Sequence, residues 1–388
     1  MKYQELLTKI DAYYQKIGVP KWPAAPIVHE GFPGNFNLSF IEYELLKHNG
    51  NYIDLKEELI YTANQPCIRD NDFKFIENPN QDSSRYLLRF TISPVGGVYA
   101  LKSRALKEKM AKKVIFDTIN FLTKECGLDI KKIYIQYLKP TTISEMTEGK
   151  YNFNYDIPLD PNLKYYQKLG IPKQNFIPVS NRDAFLALKV YGRPTPWGYR
   201  NEIFYKHHGK LLDIGTVEDL RFKPIIDKKG KICGLEENPH TFVLGGIGVE
   251  RLLMVLNDFD DINQIDLISE PAAILRPYLD PQSANQFVQT LRAIQLIIAD
   301  SGGYDTLCKM RKQRLRNFYK FLDSKFKNLV PDEIWLKVMA KIAQLEPNLP
   351  QLSHCLEQNL KEFKEYQLRV RYPHSWDKHL REQEIAVK

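Results

Sequence analysis

The sequence predicts an α+β protein: an antiparallel β-sheet flanked by helices over residues 1–260, then an all-helical domain over 261–388. Two observations predict it. Candidate strands in the front part follow one another mostly through hairpin-length connections, without regular strand–helix–strand alternation, which is the pattern of an antiparallel sheet. After residue 262 no strand pattern is found, and apolar residues recur at helical spacing over 283–300, 304–327, 332–346 and 352–368. At 388 residues, 43% of them hydrophobic, the chain has the material for two cores. A dinucleotide-binding βαβ pattern is excluded by the same lack of alternation.

Taken in order, residues 2–18 are helical by period and carry charges throughout, so they form an ordered first helix and not a signal peptide. "VPKWPAAPIVHEGFPGN" is held extended by its prolines. "ELIYTANQPCIR" (58–69) and "SSRYLLRFTIS" (83–93) read as two strands, with "DNDFKFIENPNQD" as the loop between them. Residues 103–127 form a long helix that stops at Gly127, and 131–139 a strand. The segment 140–182, rich in Tyr, Asn and Pro, reads as a functional loop or an insertion. Residues 198–222 give two strands joined at 207–210, and a glycine turn within "HTFVLGGIGVERLLMVLND" (240–258) hands a strand over to a helix that starts at Glu250.

Composition narrows the function classes. No apolar run is long enough to span a bilayer. The five cysteines are scattered and form no CxxC pair, so neither a disulfide frame nor a zinc site is expected, and a reducing cytoplasm is the expected home. The net charge of +8 permits an anionic partner.

Several residues are candidates for chemistry. Arg251 opens a helix beside Gly245, Gly246 and Gly248. An arginine at a helix N-terminus needs an anion or a ring facing it, unless Glu250–Arg251 is a pair on a solvated helix end. Arg69 closes a strand and could grip a phosphate with two parallel hydrogen bonds, as could Arg85 and Arg89 on the next strand. Glu202 and Asp213, on adjacent strands, could hold Mg2+ against nucleotide phosphates, or could be ion-paired with Arg69 or Arg200. His207 and His208 lie in an apparent turn with no third ligand nearby in sequence, and read as solvated, not as a metal pair.

Together these features resemble the class II aminoacyl-tRNA synthetase core, in particular that of the alanyl-tRNA synthetase family. "TANQPCIR" resembles the family's T-S-Q-x-C-x-R run, and "TKECGLDIKKIYIQYL" (123–138) its helix-to-strand passage. "PWGYRNEIFY" (196–205) resembles G-P-C-G-P-C-S-E-I-x-Y, and "GGIGVERLLMVL" the motif 3 run T-G-M-G-L-E-R. "LRAIQLIIADSGGYDTLCKMRKQRLRNF" (291–318) resembles the helices that open the family's tRNA-recognition domain, so the likeness extends over about 55–368. The chain ends where the family's editing and oligomerising domains would begin.

The resemblance implies binding of ATP and Mg2+. Arg69 and Arg251 would be catalytic, with Arg69, Arg85, Arg89, Gly246, Gly248 and Arg251 around ATP, and Glu202 and Asp213 at the metal. The substrate pocket would comprise Phe185, Trp197, Thr216, Glu218, Leu244 and Gly246. The tRNA surface would carry Arg292, Lys309, Arg311, Lys312, Arg314 and Arg316, from a stretch (292–327) with nine Lys/Arg against three Asp.

The chain departs from the family at the amino-acid pocket. Leu244 aligns with the aspartate that holds the substrate ammonium, Thr91 with a motif 2 glutamate, and "IGTVEDL" places Glu218 and Asp219 where apolar residues are expected. Burying an ammonium against leucine is costly. Three readings follow. The protein activates a different acid and loads it onto a tRNA or a carrier protein; it is an authentic alanine–tRNA ligase; or it is a non-catalytic paralogue that binds tRNA or a protein partner.

Overall fold

A computed structural model describes residues 1–28, 59–78, 87–92, 95–100, 104–187 and 196–371. Its strands are β1 (Leu59–Thr62), β2 (Gln65–Ile68), β3 (Arg89–Ile92), β4 (Val95–Ala100), β5 (Ile133–Leu138), β6 (Thr141–Thr142), β7 (Asp156–Ile157), β8 (Phe176–Val179), β9 (Phe185–Ala187), β10 (Trp197–His207), β11 (Lys210–Ile226) and β12 (Ile232–Ile247). The longer helices are α1 (Tyr3–Lys16), α2 (Arg104–Asn120), α3 (Val249–Leu256), α4 (Asp266–Leu275), α5 (Pro281–Ser301), α6 (Lys309–Phe326), α7 (Asp332–Leu345) and α8 (Leu356–Arg371).

The architecture is α+β. Among the described residues, eight strands form one sheet in the order β1-β4-β12-β11-β10-β5-β8, with β9 added beside β10. Neighbouring strands are antiparallel except β5 and β8, which run parallel. Two smaller sheets pair β2 with β3 and β6 with β7. No described helix is long and apolar enough to cross a membrane.

The chain divides into two units by its own contacts. The first holds Met1–Pro26 and the described parts of 38–67 and of 90–262; the second holds the described parts of 27–37, of 68–89 and of 263–388.

In the first unit, residues on β10 alternate in burial from Tyr199 to His207. Tyr199, Asn201 and Ile203 are buried, while Arg200, Glu202 and Phe204 between them are partly exposed. One face of the sheet is therefore core and the other partly open, because side chains along a strand point alternately to opposite faces. α2 packs over β4, β12 and β11.

In the second unit, α5 starts at Asp280, whose carboxylate accepts the Ser283 N–H at 3.0 Å, and stops at Gly302 in the left-handed conformation at φ 74°. It is buried on all sides from Gln286 to Ile298, as a central helix must be. Its polar side chains find partners: Gln295 donates to the carbonyls of Met339 (3.2 Å) and Leu352 (2.9 Å).

Several elements differ from the sequence expectation. The stretch read as one strand over 58–69 is two, β1 in the large sheet and β2 in a separate pair. The loop expected after residue 69 contains a short helix, Phe73–Glu77, because Phe73 packs edge-on against Phe318 at 4.9 Å. α4 was hidden by Pro271 inside it, a residue that normally ends a helix. Gly245 and Gly246 are not in a turn: they lie within β12, paired with Val217 and Thr216, and the handover to α3 falls at Gly248.

Candidate active site on the partly open face of the sheet

Strand register assembles the site. Across β10, β11 and β12, Arg200 is opposite Glu218 and Glu218 is opposite Leu244. One step along the same face, Glu202 is opposite Thr216 and Thr216 is opposite Gly246. Asp213 pairs with Phe204 beyond a bulge. Glu218, Leu244, Thr216, Gly246 and Glu202 therefore share one face, as residues in register do.

Charge on this face is dense. Arg200 Nε donates to Glu218 Oε1 at 3.2 Å and lies 3.7 Å from Glu202 Oε1. Burial pulls the Arg200 guanidinium down, but Glu218, Glu202 and Asp213 more than offset it and hold it above its usual range. Arg251 Nη1 donates to Asp213 Oδ2 at 2.9 Å, and its guanidinium lies over the Phe90 ring, 5.3 Å from the centroid. Gly248 makes room for that ring: a Cβ there would fall 2.8 Å from Phe90 Cζ. Its role here is packing, where the sequence suggested a nucleotide floor.

Glu250 and Arg251 are not a pair on a solvated helix end. Both are buried, at 0% and 5% exposure. The Thr91 N–H donates to Glu250 Oε2 at 2.8 Å, and Tyr3 Oη donates to Thr91 Oγ1 at 2.8 Å. Glu250 thus ties α3 to β3, and Arg251 goes separately to Asp213 and Phe90.

Of the other expected pocket residues, Phe185 and Trp197 do not come to this face. They pack with Tyr199, Phe222 and Leu138 in a buried cluster, Phe185 edge-on to Trp197 at 6.4 Å between centroids. Asp219 also points away, because it neighbours Glu218 on the strand. Its Oδ2 accepts from Arg221 Nε at 2.6 Å and from Asn162 Nδ2 at 3.1 Å. Asp160 sits in the same buried network, accepting from Asn201 Nδ2 at 2.6 Å and from the Asn162 N–H at 2.8 Å, and burial pushes its carboxyl up to about 6.

The arginines expected around ATP scatter. Arg85 lies outside the described residues. Arg69 belongs to the second unit, where its Nε donates to Asp72 Oδ2 at 2.6 Å. Arg89 has no exposed surface and pairs with Glu346, so it cannot reach a nucleotide as the sequence suggested. Arg292 shares that Glu346, with Nη2 2.8 Å from Oε1, and is equally buried, which removes it from any RNA surface. Both guanidiniums share the one Glu346 carboxylate inside the unit, and Arg89 also acts on the buried Asp300 carboxyl.

Arg311 is buried too, at 2% exposure, and its guanidinium is lowered by desolvation, so it is likewise withdrawn from the RNA set. Arg314 pairs with Asp70. Lys309 and Arg316 are exposed, and Lys312 lies 5.2 Å over the Tyr304 ring. Arg316 also lines a cavity of about 420 Å3 with Tyr304, Tyr366, Lys361, Glu362 and Arg369.

Sequence reasoning missed Arg200 as a site residue, and Phe90. Strand alternation was the available signal for both: Arg200 shares parity with Glu202, and Phe90 falls on the face opposite Arg89 and Thr91.

Neither a family model nor a curated protein sequence matches this chain. Solved structures are similar to it at low overlap. Apo histidyl-tRNA synthetase from S. aureus matches with a TM-score of 0.36 and 10% identity, over 68% of each chain. Pyrrolysyl-tRNA synthetase from Desulfitobacterium hafniense matches at 0.32 and 13%, over 68% of this chain and 71% of that one. Prolyl-tRNA synthetase from Cryptosporidium parvum, complexed with L-proline and AMP, matches at 0.35 and 10%, over 88% of this chain and 76% of that one. None of the three is an alanyl enzyme, and with overlap this low, function is to be read from the residues of this chain.

Proposed function

We propose that this protein is an ATP-dependent acid-activating ligase of aminoacyl-tRNA synthetase type, whose substrate is an amino acid or related acid other than alanine. The observation that carries the reading is that Glu218 stands in register beside Leu244. The carboxylate missing from the aligned position in β12 is supplied one strand over, about 5 Å away. An amino group displaced by that distance would meet Glu218, which shares its charge with Arg200.

The substrate carboxylate attacks the α-phosphorus of ATP in line. A new P–O bond forms, the bond from the α-phosphorus to the bridging oxygen breaks, and pyrophosphate leaves. Arg251 would neutralise charge at the phosphates, held in place by Asp213 and by the Phe90 ring under its guanidinium. Glu202 and Asp213, which both act on the Arg200 guanidinium, would be the carboxylates to hold Mg2+, an ion that takes one or two carboxylates and completes its shell with water and phosphate oxygens. Mg2+ would supply charge neutralisation there. The acyl group then passes to a tRNA or a carrier protein, with Lys309, Lys312 and Arg316 as the cations available to RNA.

ATP–pyrophosphate exchange across a panel of amino and related acids tests this. Exchange with one acid other than alanine is the expected result. Exchange with alanine alone would favour an authentic alanine–tRNA ligase. A second reading, a non-catalytic paralogue, draws support from the burial of Arg89, and exchange with no acid would select it.

A further inference from the structure

The end of β10, its turn into β11 and the segment after α3 bring three metal-type donors together, with Asp260 beside them. His207 closes β10 and His208 lies in the turn, with Asp258 and Asp260 from residues fifty and fifty-two further along than His208. One nitrogen of His207, one of His208 and one carboxylate oxygen of Asp258 all lie within 4.8 Å of one another. Ligands about 2.0–2.2 Å from a tetrahedral ion stand roughly 3.3–3.6 Å apart, so the exposed His208 and Asp258 need only turn about the buried His207 to close the set.

We propose that His207, His208 and Asp258 form a binding site for a divalent cation of the zinc type, with water in the fourth position and Asp260 supporting His208 from its other ring nitrogen. Three features make the arrangement more than a polar surface. His207 is 8% exposed and fixed by its neighbours: its Nε2 lies 2.8 Å from the Phe259 carbonyl oxygen, and its ring stacks on His208 with centroids 4.0 Å apart. A carbonyl can only accept, so Nε2 carries the proton and Nδ1 keeps the lone pair. A backbone carbonyl behind the imidazole is the usual outer support of a metal-bound histidine. His208 has both ring nitrogens facing carboxylates, Nε2 at 2.8 Å from Asp258 Oδ1 and Nδ1 against Asp260. His208 and Asp258 also both sit in the left-handed backbone region, at φ 46° and 56°, positions that glycine would normally take.

The donor set selects the ion. Two imidazoles with a carboxylate suit Zn2+, whereas Mg2+ and Ca2+ take oxygen ligands almost entirely. A bound ion would take the place of the proton between His208 Nε2 and Asp258, leaving the Nδ1 proton facing Asp260, and would clip the β10–β11 turn to the segment after α3. The proposal stands independently of the adenylation reading.

Equilibrium dialysis of the full chain against Zn2+ with excess Mg2+ present, with metal counted by mass spectrometry, tests it. One Zn2+ per chain is expected, and Co2+ in its place should give the d–d bands of four-coordinate nitrogen and oxygen ligation. Asp258→Asn and His208→Gln should each weaken Zn2+ binding at least about tenfold. They should also abolish the rise in thermal midpoint that Zn2+ gives the unaltered chain. The Asp258 side chain is 83% exposed, so that variant keeps its fold and decides the matter if a histidine variant does not. Zn2+ uptake equal in the unaltered chain and Asp258→Asn, or none in either, would overturn the proposal.

Discussion

Glu218 and Leu244 stand directly opposite each other on β11 and β12, on the face of the sheet that also carries Arg200, Glu202 and Thr216. Glu218 is 8% exposed and accepts from the Arg200 guanidinium, which Glu202 also approaches. It is the carboxylate that stands in register with Leu244, where a displaced substrate cation would meet it.

Glu218→Gln should lower kcat/KM for acid-dependent pyrophosphate exchange roughly a hundredfold, the equivalent of about 3 kcal/mol for a charged hydrogen bond lost in a buried setting. KM for ATP should stay unchanged. Steady-state exchange kinetics separate the two, and an equal loss in both parameters would argue against an amino-group contact.

Arg251 and Phe90 should act on the nucleotide side. Arg251→Ala is expected to abolish exchange, and Phe90→Leu to raise KM for ATP by about tenfold with little change for the acid, since one ring contact is worth about 0.5–1.5 kcal/mol. Retention of full exchange by Arg251→Ala would remove ATP from this face.

Glu346 compensates two fully buried arginines, Arg89 and Arg292. Glu346→Gln should destabilise the second unit by about 3–5 kcal/mol, because both guanidiniums lose their shared counter-charge. Urea unfolding measures this. By contrast, removing Arg292 should leave the salt dependence of any tRNA binding unaltered, whereas Lys309→Ala and Arg316→Ala should each reduce the slope of log K against log salt by about 1.

Asp160 adds a pH dependence. Its carboxyl is raised by burial from 3.8 to about 6 in the folded chain, so folding favours its protonated form. The stability it contributes is complete below the unfolded value and is lost as pH rises through about 6, a change of about 3 kcal/mol at most. Urea midpoints measured from pH 4 to 7 should show that fall, and Asp160→Asn should flatten it. A slope unchanged by the substitution would place the titrating group elsewhere.

The antiparallel sheet and the helical second half were legible because they rest on local pattern. Period-2 alternation marks β10, and apolar residues at helical spacing mark α5, which begins at a capping aspartate and ends at a glycine. The candidate site was legible only in part. Glu218 and Leu244 could be singled out from motif order, but nothing local says that they are neighbours. Arg89 and Arg292 looked like phosphate-binding residues, since an isolated arginine in a string of letters carries no sign of its burial.

His207 and His208 show the same limit most plainly. No third ligand follows within the turn, and Asp258 arrives from fifty residues away. By itself the sequence determined the fold class, the strand that offers Arg200 and Glu202 to one face, and the helix that opens with Glu250 and Arg251. Only the tertiary structure decided which charges face each other. Strand register put Glu218 beside Leu244 and sent Asp219 to the opposite side, and packing closed Glu346 around two arginines. Local periodicity comes from backbone geometry, which short stretches encode; the pairing of charges comes from contacts between segments far apart in the chain.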